Sequence, residues 1–344
     1  MKRIILGARI LLPVLFLAAA AATRPTNGLP QTTALVTTEI TFDDDITTTT
    51  SSTLDAAPGG TMGGSGSGPE AVAYDGTYVW VTRQFKNAVS RVRARDGAKG
   101  GTFPVGKTPV ALAFDRTNVW VANLNSNNVM KLRTSDGAVL GTYAVGRAPG
   151  GLLFDGANIW VTNREDNTVT KLRAADGAAL GTYAVGKRPL RAAFDGANVW
   201  VTNNFSNTVT KLRAADGAVL GTYAVGKGPF GVAFDGDSVW VANFFSGTLT
   251  KLRATDGADR GNFPVGRDPA GLWFDGATLW VANSGSDTVM RLQPADGSVL
   301  AIYKVGKDPI GVLFDGSSMW SANFGSDSVS TTLVGVSLTT ATPQ

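Results

Sequence analysis

The stretch Ala192-Ala193-Phe194-Asp195-Gly196-Ala197-Asn198-Val199-Trp200-Val201-Thr202-Asn203 reads as two strands joined at an Asp-Gly turn. Two apolar runs flank a dipeptide that supplies the positive φ a tight hairpin needs. A third run follows at 208–213, a second turn at Asp216-Gly217 and a fourth run at 219–225, after which the unit starts again at Pro229-Phe230. Its tryptophan recurs at 80, 120, 160, 200, 240, 280 and 320, a period of 40 residues without an insertion. Four strands of this length cannot bury their own apolar surface, so the copies must stack. Four-strand units of this period close into an all-β, seven-bladed β-propeller with four antiparallel strands per blade.

Six copies are complete, starting near 70, 110, 150, 190, 230 and 270, whereas the seventh, from 310, has no second Asp-Gly turn. Its fourth strand must come either from 338–341 or from 34–42, a segment rich in β-branched residues. The first 22 residues carry Lys2, Arg3 and Arg9, an apolar run at 10–17 and small residues at 18–22. That order is a signal peptide with cleavage near Ala21 to Ala22, and Pro13 and the shortness of the run argue against a membrane span. Residues 23–68, with Thr, Gly and Ser tracts, read as a low-complexity linker, and 69–344 as the propeller. The expected product is a secreted or periplasmic monomer without a membrane span.

Composition narrows the chemistry. Lys and Arg number 31 against 27 Asp and Glu. Taking Lys2, Arg3 and Arg9 from the 31 leaves 28 against 27, so the mature chain lacks the concentrated positive charge that a nucleic acid demands. There is no Cys, in keeping with stability from ring closure, and no His. Catalytic triads, His-ligated zinc and imidazole acid/base work are thereby excluded.

The second-strand motif, Val-Trp-Val-Thr-Asn at 199–203, Ile-Trp-Val-Thr-Asn at 159–163 and Val-Trp-Val-Ala-Asn at 119–123 and 239–243, resembles the YVTN family of β-propeller repeats, with Trp in place of that family's Tyr. Asn-Thr-Val and Asp-Gly elements extend the likeness over most of the chain. The resemblance implies a propeller fold and an exported or surface protein without assigned chemistry. The repeat is also similar to that of streptogramin-lyase propellers, which would imply a metal-assisted lyase. The catalytic His of that family has no counterpart in a chain without His.

Antiparallel strands sort the connections by side. The Asp-Gly turns at Asp75, Asp155, Asp195, Asp235, Asp275 and Asp315, with Asp96, Asp136, Asp176, Asp216, Asp256 and Asp296, fall on one side; Asp115 precedes Arg116 instead of Gly. These are turn residues, and calcium in the central channel is the one cofactor they suggest. The other side carries Lys107, Arg147, Lys187, Lys227, Arg267 and Lys307, with Asn123, Asn163, Asn203, Asn243, Asn283 and Asn323. Either these form a positive, amide-rich rim for an anion or glycan, or they are solvated cations and turn caps. The tryptophans are core, and the Lys-x-Arg pairs of the third strand, such as Lys171 with Arg173 and Lys211 with Arg213, are expected to be solvated.

Departures from the repeat mark a more specific site. Arg164, Glu165 and Arg191 stand where sister copies carry small, amide or apolar residues, Asp166 and Arg188 where they mostly do, and Phe205, Phe230, Phe244 and Phe245 lie beside them on loops expected to be exposed. With Lys187 and Lys227, they form the candidate ligand-binding set. The expected function is non-catalytic binding of a glycan, an anionic small molecule or a protein partner. A carboxylate- or metal-dependent hydrolase or lyase in the channel is the alternative, for which Glu165 is the acid expected on this face. A structural envelope component is a third.

Overall fold

In each copy the turn aspartate joins the hairpin to the core. The Asp195 Oδ1 accepts the backbone N–H groups of Ala197 and Asn198 at 2.9 and 2.6 Å, and its Oδ2 accepts the Trp200 indole N–H at 2.8 Å. The indole bond, at 2.7 Å, recurs between Asp75 and Trp80, Asp115 and Trp120, Asp155 and Trp160, Asp235 and Trp240, Asp275 and Trp280, and Asp315 and Trp320. Gly196 has φ 97°, a conformation that glycine adopts without strain. Arg116 stands there in the second copy at φ 75°, with its guanidinium 6.0 Å from the Phe154 ring.

The computed structural model describes residues 37–42, 47–51 and 67–333. They form seven antiparallel sheets, the blades of a propeller. Blade four is typical: Pro189–Phe194 is its inner strand, followed outward by Asn198–Asn203, Thr208–Arg213 and Val219–Ala224. Inner strands touch from blade to blade around the ring, including Pro309–Phe314 of blade seven with Val72–Tyr74 of blade one. Among the described residues no helix is long and apolar enough to cross a membrane.

Blades are held together by one repeated contact. Trp160 is fully buried, with the Tyr183 ring 5.7 Å away and the Lys171 ammonium 5.1 Å over its face. Lys171 Nζ donates to the carbonyls of Ala214 and Ala215 in the next blade, at 2.7 and 3.3 Å. Tyr183 lies on Gly217 of that blade, so closely that any Cβ there would collide with the ring. Lys131, Lys211 and Lys251 repeat the arrangement over Trp120, Trp200 and Trp240. Lys171 and Lys211 are therefore buried rather than solvated. A blade has a neighbour against each face of its sheet, so neither face is a solvent face. Only Arg173 and Arg213, at the strand ends, remain exposed, each 2.9 Å from Asp176 or Asp216.

Blade seven is finished by the N-terminal segment. Thr37–Thr41 pairs antiparallel with Ser328–Leu333 and, on its other edge, with Thr47–Ser51, giving a five-stranded sheet. Ile40 stands opposite Val329 as Tyr183 stands opposite Val169. It is fully buried, and a Cβ on Gly97 of blade one would lie 3.0 Å from its Cδ1. Ile40 thus fills, against the turn of blade one, the place that an aromatic ring fills elsewhere. The expected leader at 1–22, the alternative closing segment 338–341 and most of the segment read as a linker lie outside the described residues.

Ile40→Ala is expected to cost about 2–5 kcal/mol by emptying this contact, measurable as a lowered midpoint in urea followed by tryptophan fluorescence. An unchanged midpoint would mean that the strand does not close the ring in solution.

Acid should act through the turn aspartates. Burial alone would raise the carboxyls of Asp155 and Asp195, but the indole and backbone N–H bonds outweigh it and hold both below the ordinary range. A lowered native value means that the stability they contribute is complete above about pH 4 and is lost as pH falls through the native value. Asp195→Asn should flatten this acid branch, and unfolding curves collected from pH 2 to pH 7 check it.

Candidate ligand-binding site

The inner strands enclose a channel cavity of about 670 Å³. Small residues at the third position of most inner strands let neighbouring backbones approach closely: a Cβ on Gly231 or Gly271 would strike the carbonyl of Ala270 or Ile310. One end of the cavity is ringed by the last residue of each inner strand, Tyr74 and the phenylalanines at 114, 154, 194, 234, 274 and 314, with Trp273 among them. Glu70 and Arg191 line it at the other end.

The backbone bonds place this second end on the face of the long loops. Arg164 N donates to Ala148 O at 3.0 Å and Phe205 N to Lys187 O at 3.1 Å, tying the loop after each second strand to the preceding inter-blade loop. The turn aspartates lie at the opposite strand ends.

Glu70 belongs to blade one and Arg191 to blade four, yet Arg191 Nη2 donates to Glu70 Oε1 at 2.8 Å. Arg164 of blade three brings its Nη2 to 3.6 Å from the same oxygen. Gln84 Nε2 donates to Glu70 Oε2 at 3.1 Å. Both arginines also donate to Gly150 O, Arg164 at 3.3 Å. The side chains are 11% exposed for Glu70, 15% for Arg164 and 20% for Arg191. Two guanidinium groups thus share one carboxylate in a half-dry channel mouth. Burial pushes Arg164 down to about 10, against the pull of Glu70 and with smaller help from Arg191 and Arg188. Its Nε is buried without a hydrogen-bond partner among the described residues.

Aromatic rings continue the site. The Arg191 guanidinium sits 5.1 Å over Phe230, Phe230 is 6.2 Å from Phe244, and Phe244 meets Phe245 edge-on at 5.2 Å. Arg164, Arg191, Phe230, Phe244 and Phe245 are therefore one group. Phe230 and Phe244 are half-buried rather than exposed on loops, Phe230 being part of an inner strand, while Phe205 and Phe245 are open to solvent. Arg188 stacks 4.6 Å over Phe205 on the outer surface, and Lys187 and Lys227 are exposed on the same face.

Glu165 and Asp166 do not join the group. Asp166 accepts from Arg147 Nε at 2.7 Å and from its backbone N at 2.6 Å, and Glu165 lies 4.0 Å from the same guanidinium. The carboxylate at the mouth is Glu70 instead, and its signal was present in the sequence. Glu70 stands where the sister copies have Val110, Gly150, Leu190, Phe230, Ala270 and Ile310.

The asparagine rim is corrected too. Asn163 and Asn203 are fully buried, and their amide N–H groups bond to third-strand hydroxyls, Thr168 and Thr170 or Thr208 and Thr210. The other four are buried likewise, so none of these side chains is exposed on the rim. Among the described residues, no three or more His, Cys, Asp or Glu side chains gather closely enough to hold a metal ion.

Solved structures with this fold include a streptogramin B lyase, 19% identical over 78% of this chain and 93% of that one, with a TM-score of 0.68. A catalytically inactive His-to-Ala virginiamycin B lyase from Staphylococcus aureus with quinupristin is 20% identical over 78% and 95%, with a TM-score of 0.68. The hydrazine synthase of Kuenenia stuttgartiensis is 18% identical over 82% and 100%, with a TM-score of 0.72. At these identities the likeness is one of fold. No protein-family model and no curated protein matches the chain.

Proposed function

We propose that this is an exported, non-catalytic propeller that binds a small organic anion at the channel mouth formed by Arg164, Arg191 and Phe230. One observation carries it: two half-buried guanidinium groups share the single carboxylate of Glu70, leaving positive charge uncompensated beside an aromatic surface. Charge-assisted bonds to such a pair are short, directional and strengthened by partial desolvation. The cavity behind it has the size of ordinary small-molecule sites. The buried, unpartnered Arg164 Nε adds a donor that an anion would satisfy.

The leader-like first 22 residues and the resemblance of the Val-Trp-Val-Thr-Asn motif to the YVTN repeat support export. A lyase of the streptogramin type is less well supported, because the histidine replaced in the inactive virginiamycin B lyase cannot have an equivalent in a chain without His.

Benzoate is a suitable probe, combining a carboxylate with a ring for Phe230. It is expected to bind by isothermal titration calorimetry, and Arg191→Ala should weaken it at least about tenfold, since charge-assisted bonds contribute about 1.5–3 kcal/mol. Arg173→Ala, paired with Asp176 on the opposite face, should change little. Equal affinity for the wild type and Arg191→Ala would remove this mouth as the site.

A further inference from the structure

We propose that Glu70 is a built-in stand-in for the ligand: the anion taken at this mouth is a carboxylate that displaces the Glu70 side chain from between Arg164 and Arg191. The inference rests on the function proposed above and names both the ligand class and the event that admits it. Glu70 is the first charged residue of blade one, and it reaches the inner strand of blade four across the channel rather than a neighbouring blade. In doing so it reaches across the mouth of the cavity that it and Arg191 line.

Three features favour a carboxylate over other anions. The pair already accommodates one, with a single oxygen shared at 2.8 and 3.6 Å between guanidinium groups of different blades. Gln84 supplies a neutral donor to the second oxygen, at 3.1 Å, so the donor set matches two planar oxygens. The Phe230 ring, 5.1 Å from the Arg191 guanidinium, offers a flat apolar surface to whatever the carboxylate is attached to.

A tethered carboxylate competes with a free one at the effective concentration set by its tether, on the order of millimolar or higher for a short link. The wild-type mouth therefore answers only to a ligand whose remaining contacts exceed those of Glu70. No small buffer anion makes such contacts. Glu70 therefore acts as a threshold.

The test compares benzoate and acetate binding to the wild type, Glu70→Ala, Glu70→Gln and Glu70→Ala combined with Arg191→Ala. Removing the competitor should tighten benzoate at least about tenfold in Glu70→Ala and make acetate binding measurable, with the gain lost in the double variant. Added benzoate should also raise the melting temperature of Glu70→Ala more than that of the wild type. Glu70→Gln keeps the side-chain volume and should shift affinity in the same direction by less, which covers the case in which Glu70→Ala does not fold. If the wild type binds benzoate through Arg191 but neither Glu70 variant tightens it, this inference falls and the binding function stands. If no form binds either carboxylate, both fall.

Discussion

A buried tryptophan, covered by a lysine and by an aromatic ring that is itself pressed against a glycine of the next blade, is the contact on which the ring depends. Each part has a physical reason. The indole fills the gap between sheets, and its N–H is satisfied by the turn aspartate five residues earlier. The ammonium gains the face of the ring and two carbonyls of the neighbour, so a charge that would be costly to bury is paired on both counts. Glycine is required because the ring occupies the place of its side chain. Since no blade can satisfy these groups alone, folding one without its neighbours leaves polar and apolar groups unmatched together.

The same regularity explains where function resides. A ring of near-identical units spends its repeated residues on holding itself together, so the buried asparagines and lysines serve the scaffold. What differs between copies is free to serve something else. Glu70, Arg164 and Arg191 come from three blades and meet only because the ring brings blade one across from blade four. Such a site is made by closure.

Much of the fold was legible because tryptophan spacing and Asp-Gly turns are local signals of a global period. Burial of Lys171 and Lys211 was not, since alternation along a strand separates its two faces without saying that both are covered. The asparagines misled for a related reason: a polar residue at a strand end suggests solvent, whereas Thr168 and Thr170 were waiting one strand away. At the site, the arginines and phenylalanines stood out against their sister copies. Glu70 stood out equally but lies far from them in sequence, and only the circular geometry pairs residues 121 positions apart. Glu165 was the more obvious acid, yet a nearer partner, Arg147, holds it on the outer surface.

Residues 37–41 seal the blade that ends near residue 333. A chain emerging from the ribosome delivers the clasp first and its receptor last. Until blade seven has been made, residues 37–41 lack Ser328–Leu333, the strand they pair with, and the ring stays an open arc with one raw edge at each end. Closure therefore waits on strands that meet 295 residues apart, as at Thr37 and Thr332, which favours slow assembly and places the moment of greatest aggregation risk just before completion.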